Sequence, residues 1–188
     1  DLADILVLAL PDAPLVTVAD PDLPVIGIID SGLNTHPLIE DVIVGSIAVP
    51  ESLGVADEWG HGTRVAGVAA FGDLRAQLEA GELVRVGRLC SARVVNAQGG
   101  FDDRRLVPSQ MREAITRLRE AYGCRIFVSA LADVRRVHAG GKVGSWAATL
   151  DELARELDVL IIVAAGNRTP RHGPRLDQGV TDYPGYLL

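Results

Sequence analysis

Four short apolar runs, separated by segments with helical spacing, constrain this chain more than any other feature. They are "VIGIID" at 25–30, "LCSARVV" at 89–95, "RIFVSAL" at 125–131 and "VLIIVAA" at 159–165. Runs of that length bounded by polar or turn-forming residues read as buried strands. Between them, Met111, Ala114, Ile115, Leu118 and Tyr122 recur at helical spacing, starting near Pro108-Ser109. Trp146, Leu150, Leu153, Ala154 and Leu157 do the same after Ser145, which is expected as the N-cap. Strand alternating with helix predicts parallel pairing through crossover helices, hence an α/β domain of three layers around a mostly parallel, doubly wound sheet.

A length of 188 residues suits one such domain with a real core. That core is aliphatic, because 48% of the residues are hydrophobic but only 4% aromatic. Pro11, Pro14, Pro21 and Pro24 forbid a long helix at the start, so 1–23 reads as an extended lead-in and 24–188 as the folded part. The net charge of −7, with Lys142 the only lysine and the arginines scattered, argues against nucleic acid as a partner. No apolar run approaches membrane-spanning length, and no basic stretch leads into an apolar one as in a secretory signal. Cys90 and Cys124 form no dense framework and are expected as buried free thiols, which favours a reducing, cytoplasmic compartment.

In parallel α/β sheets the chemistry collects at the carboxyl ends of the strands. Asp30 closes the first run, in "IIDSG", and Asn167 follows the last, in "VAAGN". His61 lies in "EWGHGTRVAG", between two glycines and ahead of small residues that suit a tightly packed helix. An acid that orients a base, a base that activates a hydroxyl and an amide that stabilises an oxyanion are the parts of nucleophilic acyl transfer.

These stretches resemble a family. "VIGIIDSGLNTHP" is similar to the aspartate motif of subtilisin-like serine peptidases and "DEWGHGTRVAGVAA" to their histidine motif. "ARVVNAQG" resembles the strand and turn that follow, and "VLIIVAAGN" the segment with their oxyanion asparagine. The resemblance runs over roughly residues 24 to 168. It implies a subtilisin-like fold, incomplete at its C-terminus, and a serine endopeptidase in which Asp30 orients His61 and Asn167 donates to the oxyanion. It further implies that His61 opens a buried helix whose Gly62 and Gly67 permit close packing, with Ser31, Gly32, Gly62 and Thr63 supporting the site. The implied substrate edge is Ser129, Ala130 and Leu131, with Ala165 and Gly166, and the implied partner is a peptide or protein substrate. Leu131 stands where the family has a glycine, so it is expected to narrow the pocket for the residue before the scissile bond.

The family's nucleophile sits in a downstream Gly-Thr-Ser, which this chain lacks. The 188 residues are therefore expected to be the N-terminal part of a peptidase domain and inactive alone. The alternative is a catalytically dead domain used for binding or regulation. Asp57 reads as a loop carboxylate, His36 as structural, and His138 and His172 as exposed. No His/Cys cluster has zinc spacing and no loop matches an EF-hand, so no metal or other cofactor is assignable; calcium is implied by the resemblance alone. A nucleotide-binding module is disfavoured, because "DSGLNTHPLI" carries neither G-x-G-x-x-G nor a Walker lysine.

Overall fold

The computed structural model describes residues 15–17, 20–132 and 142–164. In chain order its elements are β1 (Leu15–Val16), β2 (Val25–Asp30), β3 (Ile43–Ala48), α1 (His61–Phe71), α2 (Leu74–Ala80), β4 (Glu82–Leu83), β5 (Arg88–Arg93), α3 (Val107–Tyr122), β6 (Ile126–Ser129), α4 (Ser145–Glu156) and β7 (Leu160–Val163). Short turns of 3-10 helix flank β3. Strands β3-β5-β2-β6-β7 form one sheet in that order, with every pairing parallel. The small β1-β4 pair lies apart from it.

The central place of β2 follows from its residues. Side chains alternate across a strand, and both faces of β2 are apolar. Ile29 joins Ala92, Met111, Ile115 and Phe127 in one core cluster, which α3 and α4 cover. Ile28 joins Leu89, Ala66, Ala70 and Phe71 in a second cluster, beneath α1. Two cores on opposite faces of one sheet make the three layers. The register aligns Asp30 with Arg93, and Ile29 with Ser129, so the polar ends of β2, β5 and β6 lie along one edge.

Two expectations need correction. Ser145 is the first helical residue of α4, not its cap; the cap is Gly144, which has extended dihedrals and makes no side-chain cap hydrogen bond. Strand β3 was not anticipated. It is an edge strand, mostly half-buried, and Gly45-Ser46 interrupt its apolar run, so its pattern is weaker than that of the buried strands. The far edge strand β7 keeps Leu160, Ile162 and Val163 exposed. No helix among the described residues is long and apolar enough to cross a membrane.

Helix α3 carries much of the larger core through Met111, Ala114, Ile115 and Leu118, all fully buried. Its Pro108 falls in the first turn, where the missing N–H removes no intrahelical bond. Arg112 links it to Glu152 and Glu156 of α4, but these pairs are solvent-exposed and contribute little beside the packing. Leu118→Ala should therefore cost about 2–5 kcal/mol, read as a lower urea midpoint with an unchanged slope. A loss below about 1 kcal/mol would contradict this packing.

Candidate active site

Asp30 ends β2 and is 0% exposed. Its Oδ1 accepts from the Ser31 N–H at 2.8 Å and lies 2.8 Å from Nδ1 of His61. Its Oδ2 is buried and has no hydrogen-bond partner among the described residues. Against an ionised carboxylate, which only accepts, a neutral ring would carry its proton on Nδ1 and keep the lone pair on Nε2. An arrangement of this kind can orient a base.

His61 reaches this position as the first residue of α1. The N-cap residue is Gly60, in a left-handed conformation (φ 78) and without a side chain to cap anything. Asp57 caps the helix instead. Its Oδ1 accepts from Gly60 N–H at 2.7 Å, from Trp59 N–H at 3.2 Å and from the Ser31 hydroxyl at 2.7 Å. Its Oδ2 accepts from the N–H and the hydroxyl of Thr63, at 2.8 and 2.7 Å. The Ser31 oxygen in turn accepts from Gly62 N–H at 2.9 Å. Asn34 pairs with the Asp57 backbone at both its N–H and its carbonyl, each at 2.9 Å. Burial pushes the Asp57 carboxyl up, but the hydrogen bonds from Ser31, Thr63 and Gly60 outweigh it and hold the group below its ordinary value.

Sequence reasoning took Asp57 for a loop carboxylate; it is the buried tie between the end of β2 and the start of α1. The signal was present as an acid three residues ahead of the glycine that opens a helix, a side-chain cap displaced from its usual position. The Ser31 hydroxyl donates to Asp57, while only its N–H serves Asp30. Gly62 is a close-packing glycine, since a Cβ there would lie 2.2 Å from the Gly32 carbonyl oxygen. Gly67 is not, because a Cβ there meets nothing within 4 Å.

Two more residues escaped the sequence. Arg93, at the end of β5, is 2% exposed and donates to Ala56 O at 2.7 Å, to Val95 O at 3.2 Å and to Glu58 at 2.8 Å. It grips the 56–58 loop from the sheet side, and its hydrogen bond and charge hold the Glu58 carboxyl below the usual range. Trp59 stacks on His61, with ring centroids 4.8 Å apart and planes at 19°.

Ser129 ends β6 with its hydroxyl buried and unpartnered among the described residues, Ala130 is half-buried, and Leu131 is 6% exposed within the larger core. That burial places the Leu131 side chain in the larger core. Asn167, Ala165 and Gly166 lie outside the described residues, as do His138 and His172. His36 accepts from Leu38 N–H through Nδ1 at 3.2 Å, a local loop contact. Among the described residues no three His, Cys, Asp or Glu side chains gather as a metal site. Cys90 and Cys124 are both buried and free.

A family model described as the subtilase family matches residues 22–185. An uncharacterized protein, y4bN, of Sinorhizobium fredii (strain NBRC 101917 / NGR234) is 72% identical over 82 residues, 44% of this chain and 19% of that protein. A cold adapted subtilisin-like serine proteinase of known crystal structure superposes with a TM-score of 0.51 at 20% identity, over 76% of this chain and 46% of that one. The psychrophilic subtilisin-like protease Apa1 from the Antarctic psychrotroph Pseudoalteromonas sp. AS-11 gives 0.51 at 21% identity, over 77% of this chain and 31% of that one. At such identities the likeness is one of fold. The chain spans about a fifth of the curated relative and less than half of each of these structures.

The tie at Asp57 has measurable consequences. Asp57→Ala removes a helix cap and strands buried donors, and should cost on the order of 2–4 kcal/mol in chemical denaturation. The folded group titrates below its ordinary value of 3.8, so its contribution is complete above that pH and is lost as pH falls through the folded value. Asp57→Asn should accordingly flatten the acid limb of a stability-against-pH curve, and an unchanged limb would show that Asp57 is not held as an anion. Gly62→Ala, which drives a methyl into backbone, should destabilise far more than Gly67→Ala.

Proposed function

The chain belongs to the subtilase family, and from that premise we propose that it supplies the Asp-His half of a serine endopeptidase site. The observation that carries this reading is the 2.8 Å bond between buried Asp30 and Nδ1 of His61. Asp30 sets the tautomer and stabilises the imidazolium as it forms, while Nε2 takes the proton of a serine hydroxyl. The hydroxyl attacks the scissile carbonyl, and the tetrahedral oxyanion collapses to an acyl-enzyme as the protonated ring gives its proton to the leaving amine. Water then hydrolyses the ester by the same base. Asn167 is assigned to the oxyanion, and the backbone of 129–131 with Ala165 and Gly166 to the substrate edge.

The nucleophile is assigned to a serine outside these 188 residues. Ser31 is committed to Asp57 and Gly62, and no serine hydroxyl bonds to His61 among the described residues. The same observation favours a second reading, a subtilase-family domain without catalysis that binds or regulates.

A phosphonylating probe directed at activated serines separates the two. The full-length protein should be labelled at one serine outside this chain, and His61→Ala should abolish the labelling. Asp30→Asn should lower kcat by about 10³–10⁴-fold through the wrong tautomer. Asn167→Ala should lower kcat far more than it raises KM. A full-length protein that is folded, unlabelled and inactive on peptides would establish the binding domain instead. Stoichiometric labelling of the 188-residue chain by itself would overturn the placement of the nucleophile.

A further inference from the structure

Asp30 restrains His61 at one atom only. Its Oδ1 meets Nδ1 at 2.8 Å, and its Oδ2 takes no part. A single hydrogen bond at the ring edge leaves the imidazole free to swing about it, yet a base must hold its lone pair within about 3 Å of the proton it removes. A second restraint lies on the ring face. The Trp59 indole stacks there at 4.8 Å and 19°.

The indole is itself held at two ends. The Trp59 main-chain N–H donates to Asp57 Oδ1, so the carboxylate that caps α1 also fixes the backbone from which the indole projects. The far edge of the indole lies against Gly99, where a Cβ would stand 3.0 Å from Cη2 and 3.1 Å from Cζ3. Gly99 sits at φ 75 in a turn closed by Asn96, whose carbonyl accepts from Gly99 N–H at 3.0 Å and whose side chain accepts from Gly100 N–H at 2.9 Å. A side chain at 99 would meet both the indole and the backbone strain of a positive φ. Trp59 remains 41% exposed, so core burial does not account for a large aromatic here.

We propose that Trp59 is a positioning residue for His61, clamping the imidazole between its own indole and the Asp30 carboxylate and tying the ring to the 96–100 turn. Its effect on catalysis rests on the peptidase reading; its effect on the ring does not. A stacked face opposes rotation of the imidazole away from the orientation in which Nδ1 meets Asp30.

Two measurements test this. In isotope-labelled protein, the exchange-protected His61 Nδ1–H resonance should be seen in the wild type and in Trp59→Phe, and be lost in Trp59→Ala. The carbon-bound ring protons of His61 should move downfield in Trp59→Ala as the indole ring current disappears. In the full-length protein acting on a peptide ester, Trp59→Ala should lower kcat about 10- to 100-fold with KM nearly unchanged, and Trp59→Phe should recover most of it. A protected Nδ1–H that survives in Trp59→Ala overturns the proposal. So does a variant whose KM rises while kcat holds, which would make the indole a substrate contact. If the wild type neither hydrolyses esters nor reacts with the phosphonylating probe, the peptidase reading fails, while the Nδ1–H resonance still decides the role of Trp59.

Discussion

The Asp57 carboxylate accepts hydrogen bonds from Ser31, Trp59, Gly60 and Thr63, and the arrangement of the site depends on it. Those donors belong to two places far apart in sequence, the exit of β2 and the entry of α1. A buried anion surrounded by donors is stable only while all of them converge, so the exchange is reciprocal. The donors keep the carboxylate ionised, and the carboxylate holds the backbone turn from which His61 projects. Removing the carboxylate would leave the N–H groups of Gly60 and Thr63 without that acceptor, and this makes the turn depend on it.

Around that tie the chain divides its labour by direction. Asp30 meets Nδ1 of His61 from the end of the central strand. Trp59 covers a ring face. Arg93 reaches from the neighbouring strand β5 into the same loop, where it binds the Ala56 carbonyl, and also donates to the Val95 carbonyl beyond its own strand. The close contact of Gly62 with the Gly32 carbonyl lets α1 lie directly on the turn that follows Asp30. Larger residues at these contacts would move the helix outward and lengthen the 2.8 Å bond on which the proposed chemistry relies.

The sheet supplies the frame for this arrangement without taking part in it. A parallel strand with apolar residues on both faces must be covered twice, by α1 on one side and by α3 and α4 on the other. Parallel register then brings the strand ends to one edge, where polar residues can meet. The weak points of the sequence reading lie where burial is partial. The edge strand β3 carries a broken apolar pattern, and the start of α4 has a serine one residue inside the helix. In both places local residues choose between alternatives of similar energy, and the neighbours decide.

What the sequence determined by itself was the alternation of buried strands and amphipathic helices, and with it the parallel three-layer fold. The places of Asp30 and His61 at element ends were legible for the same reason: each marks a boundary where local pattern stops and a polar residue stands out. Only the tertiary structure decided the parts played by Asp57, Arg93 and Trp59. Ser31 and Asp57 are 26 positions apart, and Arg93 and Ala56 are 37 apart. An acid in a loop, an arginine at a strand end and a tryptophan before a glycine each suit an exposed surface equally well. Their roles come from groups that meet only after the sheet has closed, when burial removes water and makes each remaining hydrogen bond one that must be satisfied within the protein.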